Sequence, residues 1–231
     1  MWYLLSAAGR RASSPAGRER TVDTLARRLL LVPIVHGEAD MGSLREKLEA
    51  MGESQLGGGE WSKLRRQVAA FWRDLRGLLL ERIEQELSLL KAGPEKVRIY
   101  QDGLPAGGEI GRKIVEEIAE RGSPNYQIIR ELLERGAQLE KTEHAGLLQE
   151  EYGWIAQIVN ASSSKERERL RSQYRLRSAR LLQQRDRFIA KAIDTSLREG
   201  ELGILFLGAS HRVAPHLPAD IGVIRLNREI S

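Results

Sequence analysis

The stretch Leu202-Gly203-Ile204-Leu205-Phe206-Leu207 constrains this chain more than any other. It contains no polar side chain, is too short for a helix that stands alone, and stops at Gly208. That combination predicts a buried β-strand. Gly208-Ala209-Ser210-His211 follows, and such small residues let the backbone turn tightly beneath a functional side chain. His211 is therefore expected just past the carboxyl end of the strand, where open α/β sheets bind their ligands. Upstream, Arg185-Asp186-Arg187-Phe188-Ile189-Ala190 places an ion pair on the helix that feeds this strand.

Other segments repeat the alternation of short apolar runs with helical periodicity. Trp2 to Ala7 reads as a strand, Arg18 to Leu30 as a helix, and Leu30 to Val35 as a second strand. Pro33 cannot donate to a ladder, so that strand is expected at a sheet edge or bulged. Ser43 and Glu46 have capping-box spacing and open a helix through Ala50, followed by a flexible break from Met51 to Glu60. Trp61 to Leu90 keeps three-to-four apolar spacing as one long helix, stopped by Gly93-Pro94. Val97 to Tyr100 is a third strand, and Gly107 to Gly122 is a helix. Pro124 starts another helix that ends at Gly136. Ala137 to Glu140 is a short strand, Leu147 to Val159 a helix, Lys165 to Arg198 the second long helix, and Ile221 to Leu226 a last strand.

About five short strands with intervening helices imply an α/β fold with a mainly parallel sheet and right-handed crossovers. The 231 residues are expected to form a single α/β domain, with a helical insertion at about 60–92 and a long helix at about 165–199. These two long helices are expected to stand partly clear of the sheet as an insertion or lid. The apolar stripe of the first could equally serve a homodimer.

No apolar run approaches the roughly 20 residues that span a bilayer. The apolar Met1 to Ala8 precedes Gly9-Arg10-Arg11, the reverse of a signal peptide's order. Cysteine is absent, which excludes thiolate metal sites and cysteine nucleophiles and fits a reducing, cytoplasmic location. A metal site here must use His, Asp and Glu. The formal charge of +5 combines 37 basic with 32 acidic residues, and the charges are interspersed. Solvated helical faces explain them more simply than a nucleic-acid groove does.

Polar clusters fall at predicted strand ends: His36-Gly37-Glu38-Ala39-Asp40, Gln101-Asp102, Glu143-His144 and Gly208-Ala209-Ser210-His211. Parallel strands direct such ends to one edge, so these groups can converge. Imidazoles with carboxylates suit a divalent metal that keeps a position open for water, and a His-Glu pair without metal can act as general base. His36, Glu38, Asp40 and His211 are the candidate metal ligands; His36, Glu38, Glu143, Arg185 and His211 are the candidate catalytic residues. Glu38 or Glu143 would be base or ligand, and Arg185 would hold an anionic group. Asp186 would orient Arg185 or support a ligand. Glu38 and Asp40 also suit a helix start, and Asp102 before Gly103 reads more readily as a turn residue. His216, between Pro215 and Leu217, reads as structural.

The chain lacks a dinucleotide glycine fingerprint, a phosphate loop, a His-Glu-x-x-His motif and a Gly-x-Ser-x-Gly elbow. The late Gly-Ala-Ser-His segment, preceded by the Arg185-Asp186 helix, resembles the end of TraB/PrgY and TIKI-type proteins. These are grouped with erythromycin esterase and ChaN-like proteins. The chain also resembles prokaryotic proteins of similar length that share the His-x-Glu-Ala-Asp-Met-Gly-Ser, Tyr-Gln-Asp-Gly-Leu-Pro and Gly-x-x-His stretches. The superfamily resemblance implies matching positions at His36 with Glu38, Glu143, Arg185-Asp186, and Gly208 with His211. It implies hydrolysis, of esters in one branch and of peptides with a metal in another.

The expected activity is thus that of a hydrolase with a His/carboxylate cleft, on a small-molecule ester or peptide substrate, activating water either directly or through a divalent metal such as manganese, cobalt or zinc. The alternatives are a non-catalytic protein that binds or senses a small ligand or metal, and a nucleic-acid-associated protein using the basic face of Lys165 to Arg187. Nucleic acid is the least favoured partner because Tyr174 is the single aromatic residue interleaved there.

Overall fold

Five parallel strands form one sheet in the order β3-β2-β4-β1-β5. The computed structural model describes residues 27–35, 40 and 44–226. The strands are β1 (Arg27–Ile34), β2 (Val97–Gln101), β3 (Gln138–Leu139), β4 (Leu202–Gly208) and β5 (Ile221–Arg225). Six α-helices accompany them among the described residues: α1 (Arg45–Leu56), α2 (Gly58–Leu90), α3 (Gly108–Glu120), α4 (Pro124–Glu134), α5 (Ala145–Asn160) and α6 (Ser164–Ser196). The strand expected at Trp2 to Ala7 and the residues of the Arg18 helix before Arg27 lie outside the described residues.

The apolar run at 202–207 becomes β4, buried between β2 and β1. Alternate side chains divide between two cores, as the strand's period of two requires. Leu30, Val32, Ile34, Val97, Ile99, Ile204 and Phe206 face Phe71, Trp72, Leu75, Leu79 and Ile83 of α2, together with α3 and α4. Leu29, Leu31, Tyr100, Leu205 and Leu207 face Ile189, Ala190 and Ile193 of α6. The result is a three-layer α/β/α arrangement, with each long helix covering one face of the sheet along part of its length. The first half of α6 extends past this core and packs on α5 through Leu170, Tyr174 and Ile158. Among the described residues, no helix is long and apolar enough to cross a membrane.

Three local expectations are corrected. Arg27 to Leu30 belongs to β1, because Arg28, Leu29 and Leu30 pair with β4 and β5, and this pairing outweighs their helical spacing. β1 is internal, yet Pro33 fits it without a bulge. Leu226 N–H donates to Leu31 O, so positions of Leu31's parity point toward β5. The β5 ladder ends opposite Leu31, leaving Pro33's missing donor directed beyond it. Finally, the break expected from Met51 to Glu60 shrinks to Gly57, whose φ of 80° suits glycine. Gly52 explains the tight α1–α2 turn: a Cβ there would lie 2.6 Å from the Trp61 ring.

Candidate metal centre

The carboxyl ends of β2, β3 and β4 open onto one buried polar cluster. Asp102 follows β2, and its N–H donates to Phe206 O of β4 at 3.0 Å, which fixes it at the sheet edge. Gly103 makes the next turn with φ of 86°. Glu143 follows β3, and its N–H donates to Leu104 O at 3.0 Å, so the loops after β2 and β3 are stitched together. His211 follows β4 in a turn closed by its N–H donating to Gly208 O at 3.1 Å. Arg185 and Asp186 come from α6, where consecutive residues are both buried because the helix crosses this edge.

Two subnetworks meet there. Arg185 Nε donates to Glu143 Oε1 at 3.1 Å, Nη2 to Asp102 Oδ1 at 2.6 Å, and Nη1 to Glu151 Oε2 of α5. Tyr174 OH donates to the other Glu151 oxygen at 2.8 Å. Asp186 holds the histidine turn twice. Its Oδ1 lies 2.6 Å from His211 Nδ1, and its Oδ2 accepts from Arg212 N–H at 2.9 Å. His211 Nε2 faces Asp102 Oδ2 at 3.3 Å, and that oxygen also accepts from Gly208 N–H at 3.1 Å.

One ligand atom each from Asp102, Glu143 and His211 lies within 4.8 Å of the others. This spacing lets a modest inward adjustment bring three ligands to the about 2.0–2.2 Å bonds of a divalent ion. The chemistry of the set fits such an ion: two carboxylates and an imidazole whose far nitrogen is held by a carboxylate, an arrangement that orients metal-binding histidines. Cluster charge points the same way. Asp102, Glu143, Glu151 and Asp186 are all nine-tenths or more buried, against the single guanidinium of Arg185 and the imidazole of His211.

The proton equilibria record this excess. Burial raises the Glu143 carboxyl above its ordinary range, with Arg185 opposing it. Burial is also the largest influence on His211 and disfavours its imidazolium. The charge of Asp102 and hydrogen bonds to Asp102 and Asp186 overcome it and push the imidazole up to about 10. Arg185 is likewise desolvated, yet its carboxylate partners raise its pKa. In the absence of a metal, the cluster thus draws a proton onto His211 to offset part of its negative charge.

Of the residues singled out in the sequence, Glu143, Arg185, Asp186 and His211 come together. His36 and Glu38 lie outside the described residues. Asp40 is described but is not one of the three converging ligands; its charge instead helps raise the Tyr126 phenol, after burial. All three nitrogens of Arg185 donate to protein carboxylates, so its guanidinium is engaged by Glu143, Asp102 and Glu151 where an anionic substrate group was expected. His144 caps α5, accepting from Gly146 N–H at 3.1 Å, and packs edge-on against Phe188.

Asp102 and Glu151 are the two members that sequence reasoning undervalued or missed. A signal for Glu151 exists: it lies four residues after Leu147 and four before the buried Ile155, a carboxylate on the apolar side of its helix. Comparison of the chain with family models, curated proteins and solved structures gives no match.

Proposed function

We propose that this chain is a divalent-metal-dependent hydrolase acting on an ester or peptide bond, with Asp102, Glu143 and His211 as the metal ligands. The observation that carries the reading is the convergence of these three ligand atoms within 4.8 Å in a buried cluster rich in carboxylates. Three protein ligands leave coordination positions for water, and a bound divalent ion would lower the pKa of that water. Asp186 would hold His211 with Nε2 toward the ion, and Arg185 would keep Asp102, Glu143 and Glu151 from repelling one another apart. The resemblance to the TraB/PrgY, TIKI and erythromycin esterase group supports hydrolysis as the reaction class.

The burial of Asp102 and Glu143, at 4% and 0% exposure, favours a second reading: a cation site that senses or stabilises without turnover. One experiment separates the two. Elemental mass spectrometry is run on the full chain after equilibration with manganese, cobalt or zinc and removal of free metal, followed by assay on ester and peptide panels. The hydrolase reading expects about one equivalent of metal, its loss in Glu143→Gln, and turnover that needs the metal. Bound metal without turnover would leave the second reading, and no metal in the wild type would overturn both.

A further inference from the structure

Most of α6, from Lys165 to Lys191, carries a charge pattern that the metal centre does not use. Lys165, Arg169, Arg180, Arg187 and Lys191 are all exposed. At about 100° per residue they fall within one face roughly 80° wide. Gln173, Leu176 and Gln183 share that face, and the first carboxylate on it is Asp194, which pairs with Arg27 near the helix end. None of the five cations forms an ion pair with a described residue. The acidic residues at the start of α6 lie beside the stripe and are engaged: Glu166 accepts from Ser162, with Arg169 a lesser electrostatic partner, and Glu168 pairs with Arg175.

Such segregation is not a general habit of long helices in this chain. α2 is equally long, at 33 residues, but its exposed surface mixes Glu60 with Lys63 and Glu81 and Glu84 with Arg82. The α6 stripe is therefore a local feature, which the chain's overall charge does not by itself produce.

We propose that this face of α6 binds the phosphate backbone of a double-stranded nucleic acid. The stripe is about 39 Å long at the usual helical rise, a straight row of cations matched to a long, regular polyanion. It has two cationic ends, with Gln173 and the 85%-exposed Leu176 between them. The Arg169-to-Arg180 gap is roughly 16 Å along the axis, of the order of the ~12 Å major-groove width. Flexible arginines on either side of that gap reach phosphates flanking one groove. The absence of aromatic residues from this face argues against stacking on single strands, which depends on them. It also argues against an anionic membrane, where several apolar and aromatic side chains would accompany the cations, whereas Leu176 is the single apolar one on this face. Duplex backbone contacts need neither, so the sparse aromatics of this segment do not weigh against them.

Fluorescence anisotropy of the full chain with DNA and RNA duplexes, single strands and anionic vesicles, over a salt series, tests this. The expected result is duplex binding that weakens with salt, with a slope of about −4 to −5 in log K against log salt, near −0.9 per phosphate neutralised. Arg169→Gln/Arg180→Gln/Lys191→Gln should flatten that slope by about 2–3. The matched triple Arg66→Gln/Arg73→Gln/Arg112→Gln, which removes the same charge from exposed positions on α2 and α3, should leave it nearly unchanged. Circular dichroism checks that both remain folded. A preference for DNA or RNA would identify the duplex. No duplex binding at low salt, equal losses in the two triples, or binding to vesicles or single strands alone would overturn the proposal.

Discussion

Arg98 and Arg185 each gather carboxylates from different elements, but their surroundings differ. Arg98, near the start of β2, holds Glu201 with two nitrogens at 2.9 and 2.8 Å and Glu140 with a third. Water reaches this group, since the Arg98 and Glu140 side chains are 19% and 22% exposed. Arg185, at the opposite end of the strands, faces three carboxylates at 6% exposure, with a fourth held against His211. One surplus carboxylate at a wet site is screened by solvent, whereas the surplus in a dry site must be met by a proton, a cation or a shifted equilibrium. The first cluster ties β2 to the start of β4 and the end of β3. The second gathers four buried carboxylates around one guanidinium and one imidazole.

The largest expected effect comes from removing the buried cation. Arg185→Met strands Asp102, Glu143 and Glu151 together, and denaturant unfolding should show a loss of about 3–5 kcal/mol. Arg98→Met should cost only about 1–2 kcal/mol, because water takes over part of its role. Equal losses at the two positions would break the contrast between a dry cluster and a wet one.

Metal affinity sharpens it next. Asp186→Asn should weaken metal binding by about 10–100-fold while leaving the three ligands in place, since it loosens the hold on His211. Arg98→Met should leave affinity unchanged. Isothermal titration calorimetry on both variants makes the comparison.

The smallest effect is in pH dependence, and the two ends should respond in opposite directions. His211 has a folded pKa near 10, above its ordinary 6.5, so without metal its contribution to stability is complete below about 6.5 and is lost as pH rises through about 10. At the other cluster, burial works against the Glu201 carboxylate, but hydrogen bonds from Arg98 and the Arg198 backbone hold its pKa below 4.5. Its contribution is present above 4.5 and disappears as pH falls through the lowered folded value. Denaturant unfolding across pH in a chelator should show the alkaline loss shrink in His211→Gln and the acid loss shrink in Glu201→Gln.

Much of this architecture was readable because it rests on local patterns. β4 is an apolar run ended by glycine, and the long helices declare themselves by spacing. The order of strands was not readable, because β4 enters between β2 and β1 through contacts more than 100 residues apart in sequence. Within the site, His211 and Glu143 were visible as polar residues just beyond strands, and Arg185-Asp186 as adjacent charges beside an apolar run. Asp102 was obscured by its neighbour: Asp-Gly is an ordinary turn pair, and here the same residue makes the turn and offers its carboxylate to the cluster. Glu151 was hidden next to Glu150, where two acids in a row suggest a solvated surface. Its spacing from Leu147 and Ile155 is the one sequence hint, and the partners Tyr174 and Arg185 show that it points inward.

The most direct test of the central claim is anomalous X-ray diffraction from crystals of the full chain soaked in manganese. The account predicts a strong peak bonded to Asp102, Glu143 and His211 at about 2.0–2.3 Å, with Asp186 still against His211 Nδ1. An empty cluster with Arg185 and His211 still paired to the carboxylates, or manganese bound elsewhere, would contradict it.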